Sequence, residues 1–216
     1  GDDVGDACEA DFQEDWDAGI DLLTWKSWGS PSPVIQAGLG RDGSDAIDCN
    51  GDQVHHSGVT THEAFDLSLR PTLSWWANVH VKEEDEQEEF DQFVRVGWSS
   101  TTSDDFGGTG EQPTPPLIGV TVNGAESGTH NYRVMAEELE EFDVPFVYPD
   151  DSNGWHHYRV ELNEDGTVSF FRDDEPVWTS TTPLDFSQYT NQALVVDGKS
   201  QHTTNLVDDV QVWLSP

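Results

Sequence analysis

The feature that most constrains this chain is a two-residue alternation of apolar and polar side chains. In TLSWWANVHVK (Thr72 to Lys82), Leu73, Trp75, Ala77, Val79 and Val81 fall on one side, and Ser74, Trp76, Asn78, His80 and Lys82 on the other. FVRVGWSS (Phe93 to Ser100) sets Val94, Val96 and Trp98 against Phe93, Arg95 and Gly97. NYRVMA (Asn131 to Ala136) sets Tyr132 and Val134 against Arg133 and Met135, and HHYRVELN (His156 to Asn163) sets Tyr158, Val160 and Leu162 against His157, Arg159 and Glu161. Successive side chains of a strand point to opposite faces, so this period belongs to strands with one buried face. The one helix-like run, AEELEEF (Ala136 to Phe142), is short. The expectation is an all-β chain of antiparallel strands.

Turn chemistry punctuates the alternation. Asn163-Glu164-Asp165-Gly166 reads as a hairpin turn with Gly166 free to take positive φ, and Asp173-Asp174 turns the chain again. Pro176 marks an edge or a strand start, because proline cannot donate to a ladder. LVDDVQVWL (Leu206 to Leu214) closes the chain as a further strand. EEDEQEE (Glu83 to Glu89) reads as a solvated acidic turn, and TSDDFGGTGEQPTPP (Thr102 to Pro116) as a long loop. No linker divides the sequence, so residues 1–216 read as one domain. The 34% hydrophobic content is low, but 9 Trp, 10 Phe and 4 Tyr supply enough buried area for a core. The chain begins at Gly1 without Met and reads as a processed or excised product.

Forty-three acids oppose nine bases, for a net charge of −34. Self-repulsion of this size is relieved where salt is concentrated, since the Debye length falls to roughly 3 Å in molar salt. The balance points to a salt-rich habitat; a secreted protein whose acids bind Ca²⁺ is the other reading. It argues against nucleic acid, whose phosphates demand a basic surface. Membrane insertion is not expected, because no apolar run approaches the roughly 18 residues a spanning helix needs. Cys8 and Cys49 make a pair in a chain with no other cysteine. That suggests one disulfide and an extracellular or cell-surface setting, and closing a loop of this size contributes about 4 kcal/mol in the chain-entropy model. Two buried thiols are the alternative.

FQEDWDAGIDLLTWKSWG near the start, NGWHHYRVELNEDGTVSFFRDDEPVWTS in the third quarter and LVDDVQVW at the end resemble the concanavalin A-like lectin/glucanase superfamily, with its laminin-G-like modules. The resemblance spans most of the chain. It implies an antiparallel β-sandwich, a jelly roll of two packed sheets, one convex and one concave. It also implies a structural Ca²⁺ where first and last strands meet. The family's ligands would fall on Asp15, on a backbone carbonyl at Gly43 and on Asp208; ordinary surface acids are the competing reading. The family's paired catalytic carboxylates and its lyase residue sets are incomplete here. The chain therefore reads as non-catalytic, although a polysaccharide-degrading enzyme stays open.

The polar strand faces hold the candidate binding residues. Arg95, Arg133 and Arg159, three of only six arginines, stand on polar faces of three strands, and Trp76, Asn78, His80 and His157 would join them if those strands are neighbours. Guanidinium reads carboxylate or sulfate bidentately, and indole stacks on sugar rings. The expectation is a glycan site on the concave sheet that favours an anionic polysaccharide or glycoprotein glycan. The competing reading is that these arginines pair with Glu161 and other acids to satisfy a partly buried face. Trp25 and Trp28 read as loop packing over the sandwich edge. A structural module of a surface layer, filament or adhesin, contacting other surface proteins or itself, is the second functional class.

Overall fold

The computed structural model describes residues 10–29, 31–49, 57–79, 92–100, 118–124, 130–136, 140–146, 154–199 and 205–214. Fifteen strands lie in these segments: β1 (Phe12–Glu14), β2 (Trp25–Gly29), β3 (Val34–Gln36), β4 (Ala46–Asp48), β5 (Ser57–Phe65), β6 (Thr72–Asn78), β7 (Gln92–Ser99), β8 (Ile118–Gly124), β9 (His130–Ala136), β10 (Glu140–Phe146), β11 (Trp155–Leu162), β12 (Val168–Arg172), β13 (Glu175–Thr179), β14 (Gln192–Lys199) and β15 (Leu206–Trp213). The first sheet runs β13-β12-β11-β6-β15-β4-β3, with β1 also paired to β15; the second runs β10-β9-β8-β7-β14-β5-β2. The pairings are antiparallel. The expected all-β sandwich is the observed architecture.

The alternation read from sequence places the core. Leu73, Trp75 and Ala77 of β6, Tyr158 and Val160 of β11, and Val94, Val96 and Trp98 of β7 are buried and belong to one cluster shared by both sheets. Trp75 stacks on Tyr158 at 5.6 Å, and Tyr158 on Phe170 at 6.1 Å, which makes an aromatic ladder across β6, β11 and β12. Burying a side chain of this size stabilises by about 1.5–3 kcal/mol. Glu14 joins the two sheets: its carboxylate accepts the Trp16 amide at 3.0 Å and the Trp25 indole N–H at 2.7 Å.

Local signals also hold. Gly166 takes φ +84°, where an added Cβ would meet the Leu184 carbonyl at 2.6 Å. Asp173 and Asp174 have φ of 49° and 65°, the pair of positive values that a two-residue hairpin turn needs. Pro176 lies on β13, an edge strand. The helix-like reading of Ala136–Phe142 is corrected: Glu140, Glu141 and Phe142 lie in β10 opposite Ala136, Met135 and Val134 of β9. Trp25 and Trp28 lie in strand β2 rather than in a loop; Trp25 is in the core, and the Trp28 indole donates to Thr60 Oγ1 at 3.0 Å.

Candidate functional site

The strands carrying the predicted binding residues divide between the two sheets. Trp76 and Asn78 (β6) and His157 and Arg159 (β11) are on the first sheet, with His157 directly opposite Trp76 and Asn78 opposite Trp155. Arg95 (β7) and Arg133 (β9) are on the second. One shared surface for all six is therefore corrected: after β6 the chain passes to the other sheet, and the outer faces of a sandwich point away from each other. His80 lies outside the described residues.

On the second sheet, a register row runs across the strands. Trp28, Gly58, Asp197, Arg95, Thr121, Arg133 and Asp143 are successive partners. Arg95 is only 7% exposed and Asp197 not at all. The guanidinium grips the carboxylate through Nε to Oδ1 at 2.7 Å and Nη2 to Oδ2. Thr60, Thr121 and Val195 are buried too. Arg95 is therefore one half of a buried, bidentate ion pair, the structural role that the competing reading assigned it.

The outer face of the first sheet is half-exposed and built in two tiers. In the first, the Trp76 and His157 rings stack at 5.0 Å, and the Arg41 guanidinium lies 4.0 Å over the indole. In the second, the Arg159 guanidinium lies 4.4 Å over the Phe171 ring, with Phe171 of β12 directly opposite Arg159. His157 and Arg159 are two residues apart on β11, so the tiers adjoin at about 7 Å, two strand rises. Each guanidinium also has a carboxylate beside it. Arg41 Nη2 is 2.7 Å from Asp42, Arg159 Nε is 3.1 Å from Glu161, and Arg159 Nη1 is 3.6 Å from Asp174. The Arg41 and Arg159 side chains keep 32% and 28% exposure. Burial, the largest influence on His157, pushes its pKa below the ordinary 6.5 against the pull of Asp174, so the ring is neutral at neutral pH.

Arg41 escaped the sequence reading. It comes from the loop between β3 and β4, which folds across β15 and is tied to Asp208. The Arg41 amide and Ser44 Oγ–H both donate to Asp208 Oδ2, at 3.0 and 2.8 Å, and the Asp209 amide donates to Oδ1 at 2.8 Å. A Cβ on Gly40 would sit 2.7 Å from that same Oδ2, so only glycine lets the loop lie this close. The available signal was GLGRDGSD (Gly38 to Asp45), a loop whose glycines permit a flat fold. Asp208 stands opposite Trp76 in the β15–β6 register, which is why the tied loop delivers Arg41 onto that ring.

Of the positions expected to hold calcium, Asp208 and the Gly43 turn belong to this corner, where the tied loop already takes up the Asp208 oxygens. Asp208 is buried, and its two oxygens already accept three N–H or O–H donors, which a cation would have to replace. Asp15 accepts the Asp17 amide at 3.2 Å, and Gly43, at φ +83°, closes a turn on the Gly40 carbonyl at 3.2 Å. Among the described residues no group of three or more His, Cys, Asp or Glu side chains is arranged to hold a metal ion. Asp209, at the β15 bulge with φ 48°, has its carboxyl pKa raised, first by burial and then by Asp208. Cys49 is a buried free thiol whose pKa is pushed well up by desolvation; Cys8 lies outside the described residues.

No protein-family model and no curated protein matches the chain. Solved structures do. A carbohydrate esterase from the Shiga toxin-encoding bacteriophage phi24B superposes with a TM-score of 0.63 at 13% identity, covering 96% of this chain and 99% of that one. The carbohydrate recognition domain of Emp47p gives 0.61 at 12% identity over 96% and 97%. The globular domain of T. cruzi calreticulin gives 0.58 at 13% identity over 96% and 89%. The molecule thus shares with these structures the architecture of a two-sheet antiparallel β-sandwich. At these identities the likeness is one of fold, and function has to come from the site.

Proposed function

We propose that this chain is a non-catalytic carbohydrate-binding domain whose sugar lies on the outer face of the first sheet. The observation that carries the reading is the half-exposed platform of Trp76, His157, Arg159 and Phe171, with Arg41 held over it by the loop tied to Asp208. The lectin-like fold supports it, and two of the compared structures are described as a carbohydrate recognition domain and a carbohydrate esterase. The stacking role expected of Trp76 changes, since Arg41 covers that ring. Recognition passes to the guanidinium donors, the neighbouring carboxylates and His157. Aromatic stacking holds both guanidinium planes, so little ordering is left for the ligand to impose. The reading includes an extracellular or cell-surface setting in concentrated salt, motivated by the charge of −34.

A glycan panel measured in molar salt tests this. Arg159→Ala should weaken the best hit by about tenfold or more, the worth of one hydrogen bond to a charged group, and His157→Ala by about fivefold, the worth of one between neutral groups. The exposed Glu63→Gln control on β5 should leave it unchanged. Unaltered affinity in both platform variants, with melting curves intact, would remove the site. Turnover of the hit would replace binding with an enzymatic reading.

A further inference from the structure

Among the described residues, the arginines do not offer free positive charge. Each one whose side chain is described has a carboxylate of the same chain within reach: Arg41 with Asp42, Arg70 with Glu164 at 3.3 Å, Arg95 with Asp197, Arg159 with Glu161 and Asp174, and Arg172 with Asp173 at 3.5 Å. On the platform, two guanidinium groups face three carboxylates (Asp42, Glu161 and Asp174), and the His157 ring adds no charge at neutral pH. Asp208 and Asp209 stand at its margin. The face as a whole is negative, on a molecule of net charge −34.

We propose that the platform takes an uncharged, hydroxyl-rich glycan and discriminates against uronate-bearing and sulfated ones. This rests on the carbohydrate-binding reading above and reverses the anionic preference expected from the count of strand-borne arginines. A ligand carboxylate would have to displace Asp42, which is the next residue to Arg41, or Glu161, which is two residues from Arg159. These tethered groups compete as if at very high local concentration. It would also bring its charge against the carboxylate it displaced. A sugar hydroxyl meets no such competition, because it is donor and acceptor at once. Adjacent hydroxyls can accept from a guanidinium N–H and donate to the carboxylate beside it, leaving each ion pair in place. The Trp76 and Phe171 rings fix the guanidinium planes, so donor and acceptor stand in a set order: Asp42–Arg41 in one tier, and Arg159 with Glu161 and Asp174 in the other.

The test compares neutral glucan and mannan oligosaccharides with oligouronates and sulfated galactan oligosaccharides of equal length, by calorimetric titration in low and in molar NaCl. The wild-type protein should bind a neutral series at least about tenfold more tightly than either anionic series, with an affinity that salt barely changes because no net charge is screened. The triple variant Asp42→Asn/Glu161→Gln/Asp174→Asn removes all three platform carboxylates and should gain uronate binding by about tenfold or more, since bidentate guanidinium–carboxylate contacts then become available. Tighter uronate or sulfate binding by the wild-type protein would overturn the charge selectivity and leave the platform standing as a glycan site. Binding of none of the four series in either salt would overturn both the selectivity and the carbohydrate-binding reading beneath it.

Discussion

Replacing Arg95 by Met is the sharpest probe of how the two outer faces differ. The substitution keeps most of the side-chain volume and removes the guanidinium that Asp197 meets through two hydrogen bonds. Asp197 is wholly buried, and its immediate surroundings are tight: an added Cβ on the cross-strand Gly58 would lie 2.6 Å from the Asp197 Cβ. Without the guanidinium, the buried carboxylate loses its counter-ion while still removed from water. Removing one partner of a buried ion pair costs about 3–5 kcal/mol, and in a domain of this length that lowers the melting midpoint by roughly 6–20 °C. Urea unfolding in molar KCl, followed by tryptophan fluorescence, measures the loss. Arg95→Met/Asp197→Asn should recover most of it, because no charge is then stranded. The loss should also persist in high salt, unlike that of an exposed pair such as Arg41–Asp42. A cost below about 1 kcal/mol would mean that solvent reaches Asp197. The second sheet's outer face would then be as open as the first, and the reason for siting the glycan on the first sheet would fail.

Two further outcomes follow from the Asp208 corner. Asp209 has a raised pKa, so it contributes to folding while protonated; that contribution is lost as pH rises from its ordinary 3.8 through the raised value, and the ionised group opposes folding at neutral pH. Asp209→Asn should accordingly raise the melting midpoint at pH 7 and not at pH 3, and asparagine also tolerates the φ of 48° there; no gain at pH 7 would refute the assignment. Calcium should leave the melting midpoint unchanged in molar NaCl, since the oxygens of Asp208 are spent on the loop; a saturable rise reversed by chelator and lost in Asp208→Asn would show that the loop gives way to a metal.

The sequence carried the inside and outside of each strand well. Trp75, Val96 and Tyr158 point inward as their alternation requires, because that parity is a local property of the extended backbone. Which sheet a strand joins is not local. β6 and β7 follow each other in the chain yet sit in opposite layers, so Arg95 and Arg159 share a pattern without sharing a surface. The Ala136–Phe142 run shows the same limit, since pairing with β9 outweighs the helix preference of its glutamates. Arg41 was hidden for a third reason. Its place over Trp76 depends on a loop tied to Asp208, 167 residues further along; the glycines beside Arg41 let that loop lie flat but do not name its partner.

The central claim is that sugar lies on the outer face of the first sheet, and mapping the contact by amide chemical-shift changes tests it most directly. With a saturating neutral oligosaccharide, the account predicts the largest changes in residues 40–44, 74–78, 155–161 and 169–174. Changes concentrated instead in β5, β7, β8 and β14 would place the ligand over the Arg95–Asp197 row and contradict it.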